Sequence, residues 1–112
     1  MAYLTKSRFK IGMSCPTKLY YELSDNYENN DDGNEFIKAL AKGGIQVGEM
    51  AKLYYPGGIE IDTVGKENQL SQTNEALLQE NVIIYEAAIR VGYKFIRVDV
   101  LEKIGNTIKI IE

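Results

Sequence analysis

Residues 81–112, NVIIYEAAIRVGYKFIRVDVLEKIGNTIKIIE, decide the fold. Three runs rich in valine, isoleucine and aromatics, residues 82–90, 94–103 and 107–112, are separated by Gly92 and by Gly105-Asn106. Short β-rich runs split by turn residues predict a three-strand antiparallel meander. Gly105-Asn106 suits a two-residue hairpin loop, since glycine in the first position favours a type II′ turn. Ile104 then faces Thr107, Glu102 faces Lys109, Leu101 faces Ile110 and Asp99 faces Glu112. With Gly92-Tyr93 as the other loop, Ile89 faces Ile96, Ala87 faces Val98 and Glu86 faces Asp99.

That register sets Glu86, Asp99 and Glu112 side by side on three neighbouring strands. Directly opposed side chains sit about 5 Å apart at Cβ, where like charges are destabilising. Val98 and Val100 flank Asp99, which predicts a part-buried site. Carboxylates gathered in such a place need a cation, or one of them must hold a proton. A divalent ion satisfies all three. Mg²⁺ takes one or two carboxylates together with waters and phosphate oxygens. Such an ion generates a hydroxide and stabilises the departing oxygen in phosphodiester cleavage. The opposing reading is that the acids are unrelated. A one-residue bulge would turn one set to the other face, and Arg97 or Arg90 would neutralise one of them.

Upstream, the pattern is helical. Thr5 is placed to cap a short helix over residues 6–14, and Pro16 to open another through Tyr21. Residues 23–34, rich in Asn, Asp and Gly, read as a loop, and five carboxylates, Asp25, Glu28, Asp31, Asp32 and Glu35, crowd that stretch and its end. From Glu35, Ile37, Leu40, Ala41, Gly44, Val47, Ala51 and Tyr54 recur at helical spacing until Pro56-Gly57-Gly58. Gly43-Gly44 costs that helix about 2 kcal/mol of propensity, which predicts close packing or a bend. A short strand over residues 59–63 and a second amphipathic helix over 68–80, around Leu70, Leu77 and Leu78, complete the reading. The expected class is α+β, with N-terminal helices packed on the meander in a single domain over residues 1–112.

Composition narrows the chemistry. There is no histidine, and Cys15 is the only cysteine. Zinc sites of the nitrogen-and-sulfur kind and Ser-His or Cys-His catalysis are therefore excluded, and any metal must be a hard ion held by oxygens. No apolar run approaches the roughly 18 residues that cross a membrane. Together with an opening that carries no secretory signal, this makes a cytoplasmic location the default expectation. The net charge is −3, but Lys6, Arg8, Lys10 and Lys18 all precede the first acid, Glu22. Such a basic segment is either a solvated helix face or a contact for phosphates.

The helices leading into the meander, Asp99 on its middle strand and Ile110-Ile111-Glu112 on the next resemble the PD-(D/E)XK nuclease superfamily, where an acid on one strand is followed by Glu-x-Lys. The opening Leu4-Thr5-Lys6-Ser7-Arg8-Phe9 and Cys15-Pro16-Thr17-Lys18-Leu19-Tyr20-Tyr21 resemble its RecB-like and CRISPR-associated exonuclease branch. Gly43-Gly44-Ile45-Gln46-Val47-Gly48-Glu49, Tyr85-Glu86-Ala87-Ala88-Ile89 and Ile96-Arg97-Val98-Asp99-Val100-Leu101 carry a likeness to the start of an uncharacterised bacterial family in that branch. The resemblance implies an incomplete restriction-endonuclease-like core acting on nucleic acid, DNA ahead of RNA, with Mg²⁺ or Mn²⁺. Asp99 and Glu112 become catalytic metal ligands. Glu49 matches the helix residue that often completes such sites, whereas a solvent-exposed acid near Lys52 is its plainer reading. Glu86 rests on the strand register, and Lys6, Arg8 and Lys10 become the nucleic-acid contacts. The motif lysine, expected two residues past Glu112, is absent, so the expectation is a truncated, inactive nuclease-like domain. The three further cysteines of the iron-sulfur members are missing, so no such cluster can form, and Cys15 reads as structural. The alternative function is a non-catalytic interaction or nucleic-acid-binding module, self-associating through the C-terminal edge strand.

Overall fold

The structure, a computed structural model, describes residues 3–22, 24 and 35–112. Apart from Ser24, the expected loop over residues 23–34 lies outside the described residues. Four helices, α1 (Lys6–Ser14), α2 (Pro16–Glu22), α3 (Glu35–Tyr54) and α4 (Lys66–Ala76), accompany four strands. The strands are β1 (Ile59–Glu60), β2 (Asn81–Val91), β3 (Lys94–Ile104) and β4 (Thr107–Ile111), in the sheet order β1-β2-β3-β4. The class is α+β as expected, but the sheet is not a three-strand antiparallel meander. It is mixed, because β1 joins β2 in parallel, with Ile59 against Ile84 and Glu60 against Tyr85. A parallel neighbour needs a crossover of a dozen or more residues, and the segment containing α4 supplies it. The meander itself keeps the expected register, with Ile104 opposite Thr107, Glu102 opposite Lys109, and Ala87 opposite Val98.

The core lies between α4 and the sheet. Ile61, Ala76, Val82, Ile84, Ala87, Val98 and Leu101 form one cluster, and Leu70, Ala88 and Phe95 a second. α4 turns Leu70, Thr73 and Ala76 inward, a stripe at three-residue spacing made of only one large side chain. Thr73 is fully buried, and its hydroxyl accepts from the Ala88 amide at 3.0 Å while donating to the Gln69 carbonyl at 2.8 Å. β1 stops at Glu60, so this helix hydroxyl takes over beyond the end of the short strand. The helix expected over residues 68–80 thus begins and ends earlier, and Leu78 is exposed.

Two attachments bring the other helices to the sheet. Leu4 bridges to Lys94: its amide donates to Tyr93 O at 2.8 Å and its carbonyl accepts from Phe95 N at 2.9 Å. Thr5 then caps α1 as expected, accepting from Arg8 N at 3.3 Å. α3 is held at its far end. The Tyr85 hydroxyl donates to Tyr55 O and accepts from Gly58 N at 3.1 Å. A Cβ on Gly58 would lie 2.5 Å from the Tyr85 ring, so glycine is required there. No residue of α3 is buried, and a Cβ on Gly43 or Gly44 would meet nothing within 4 Å. Of the close packing or bend expected at that glycine pair, the close packing is not present.

Candidate functional site

A groove of about 360 Å³ opens between α3 and the sheet, and Glu49, Lys52, Glu60, Tyr85, Glu86 and Asp99 lie along it. The small residues Ala41, Gly44 and Gly48 form its helical wall. Three of the four acids singled out in the sequence therefore share one surface, although Glu49 comes from a helix and the others from strands.

Asp99 sits on β3 between Val98 and Val100, both buried, yet Asp99 itself is exposed rather than part-buried as expected. Its neighbours face the core while it faces the groove. Glu86 stands opposite Asp99 in the register, but the two do not pair; the ladder runs from Tyr85–Val100 directly to Ala87–Val98. The cause is the Glu86 backbone, whose φ of 59° is left-handed and breaks the extended course of β2. Arg97 bridges the gap, donating from Nε to Glu86 O at 3.3 Å with Oε2 of the same residue at 3.8 Å. The suggestion that an arginine would neutralise one acid holds for this pair, while Arg90 instead meets Glu67 at 3.1 Å.

Glu112 follows β4 and bonds to the Lys6 ammonium at 2.6 Å. That contact, reinforced by the charges of Asp99 and Glu86, raises the Lys6 pKa above the ordinary lysine value. Lys6 thus pairs with Glu112 and lies within the field of Asp99 and Glu86. Glu49 pairs with Lys52 at 3.0 Å, and Lys52 also binds Glu60 at 2.7 Å. The Lys52 ammonium lies 5.7 Å above the Tyr85 ring, and its pKa is raised by the bonds to Glu60 and Glu49. Arg8 turns inward, donating from Nη1 to Tyr3 O at 2.6 Å, whereas Lys10 is exposed on α1.

All donors along the groove are oxygens, which suits a hard divalent ion. Among the described residues, no three carboxylates lie close enough together to hold an ion in this arrangement. Lys6, Lys52 and Arg97 take up the acid charges instead. Glu60 was missed in the sequence, while Lys52 was read there only as the neighbour of Glu49. The Lys52 pairing was legible in the three-residue spacing from Glu49, but the Glu60 pairing depends on where β1 docks. No family model, curated protein or solved structure matches this chain. No helix among the described residues is long and apolar enough to cross a membrane.

Proposed function

We propose that this chain is a nuclease-like domain for metal-dependent hydrolysis of nucleic-acid phosphodiesters, DNA ahead of RNA. The observation that carries the reading is the shared groove, along which Glu49, Glu86 and Asp99 are placed by three different elements. Glu112, paired with Lys6, lies outside that lining. Mg²⁺ or Mn²⁺ would be held by Asp99 with Glu112, Glu86 or Glu49, and would supply an activated water and charge stabilisation at the phosphorus. The residues' own part is to set the negative charge, to hold it with Lys6 and Arg97 before an ion arrives, and to leave Asp99 open to solvent.

The test is a Mn²⁺ titration by calorimetry on the chain beside Asp99→Ala. Binding by the parent chain that vanishes in the variant supports the site, and a metal-dependent cleavage assay follows. No heat of binding from the parent chain would sink the metal reading.

One observation favours a second reading, a non-catalytic interaction module. β4 is an edge strand with Ile108 and Ile110 both exposed, an invitation to strand addition by another chain or a second copy.

A further inference from the structure

Beside the carboxylates lies a second groove, of about 460 Å³, with the opposite chemistry. Thr5, Lys6, Ser7, Gly65, Lys66 and Arg97 line it, and no carboxylate does. Three cations face this groove; Lys6 and Arg97 already meet Glu112 and Glu86, and among the described residues Lys66 is left as the unpaired positive charge. Two helices also begin there, α1 at Lys6 and α4 at Lys66. First-turn amides of a helix have no intrahelical acceptor and carry partial positive charge. The cap of α4 is Gly65, which makes no side-chain hydrogen bond to those amides. The Lys66 ammonium is held 5.5 Å over the Phe95 ring, and among the described residues no carboxylate pairs with it.

The two grooves share a border. Lys6 lines the basic one and bonds Glu112, and Arg97 lines it and lies against Glu86. A ligand that satisfies both must present an anion to the first groove and a phosphorus centre to the acids. Successive phosphates of one strand do so.

We propose that this groove binds a backbone phosphate of a nucleic-acid strand, next to the phosphate addressed by the carboxylates. The identity of the strand rests on the proposed function, but the phosphate site does not require metal. Lys66 is its principal free cation, with Ser7 and the uncapped first-turn amides of α4 as donors.

The experiment is an amide NMR titration of the full chain in EDTA, with inorganic phosphate and with a single-stranded hexadeoxynucleotide. Saturable shifts at Ser7 and Lys66 with both probes, tighter for the oligonucleotide, are expected. Lys66→Glu should weaken oligonucleotide binding at least about tenfold and reduce the log-log salt slope by about 0.7, the value for one lost single-strand contact. An acid suits a helix's first turn, so this variant should fold, which a dispersed spectrum checks. Lys38→Glu makes the same charge change on α3, outside the groove, and should stay within about twofold of the parent. Equal losses in both variants, or shifts spread over all the surface lysines, overturn the proposal in favour of net charge alone. Saturation by phosphate without tighter oligonucleotide binding overturns the strand assignment. Intact groove binding in a chain that takes up no Mn²⁺ would instead sink the metal reading and leave the groove standing.

Discussion

Glu86 is the only non-glycine residue with a positive φ among the described residues. For a side chain with a Cβ, that conformation costs about 1–2 kcal/mol, and such strain gathers where function over-determines the backbone. Here it detaches Glu86 from Asp99 and lets Arg97 reach both the Glu86 carbonyl and its carboxylate. Glu86→Gly should raise the unfolding free energy by about 0.5–1 kcal/mol in urea denaturation while weakening Mn²⁺ binding. A variant no more stable than the parent would show that the backbone is not strained. The position of Glu86 opposite Asp99 was legible from the two turns. Its conformation was not, because glutamate has no preference for the left-handed region, and a glycine there would have announced it.

Elements show the same division. β2, β3 and β4 were legible because each run alternates or is bounded by glycine, and their pairings follow from two short loops. β1 was harder to place. Two residues carry no period, and their parallel docking beside β2 depends on where α4 lies. α4 is mostly polar, so Leu77 and Leu78 drew the expected helix towards its C-terminal side, whereas burial selects Leu70, Thr73 and Ala76. The junction of this helix with the sheet rests on the Thr73 hydroxyl and the Ala88 amide. Thr73→Val would leave a buried donor unpaired, a loss of about 1–3 kcal/mol, while Thr73→Ser should keep most of the stability. If thermal unfolding cannot tell valine from threonine here, the amide has another partner.

At the scale of the molecule, the radius of gyration is 16.2 Å, against about 13 Å for a compact domain of this length. On α3, Leu40, Ile45, Val47, Met50 and Leu53 are each more than half exposed. Of the stripe expected from periodicity, Ala41, Gly44 and Ala51 face the groove beside the sheet, whereas these larger side chains, Ile45 apart, are spread around the rest of the helix. With the open edge of β4, α3 gives the molecule two surfaces suited to association. An edge strand that pairs antiparallel with its own copy about a two-fold axis sets Lys109 against Lys109 in the register centred there, a repulsion typical of guarded edges. The chain should therefore self-associate only at high concentration, and Lys109→Ile at markedly lower concentration. Light scattering that finds both strictly monomeric would remove β4 as an interface.

The contact between Lys6 and Glu112 joins residues 106 positions apart in sequence. A group fused after Glu112 is therefore tethered beside Lys6 and the basic groove. A polyhistidine tail would bring its own imidazoles to that spot and take up Mn²⁺ itself, and a bulky fusion partner would shade the path of an incoming strand. Titrations of this chain call for untagged protein, and a fluorescent reporter belongs on the outer face of α3.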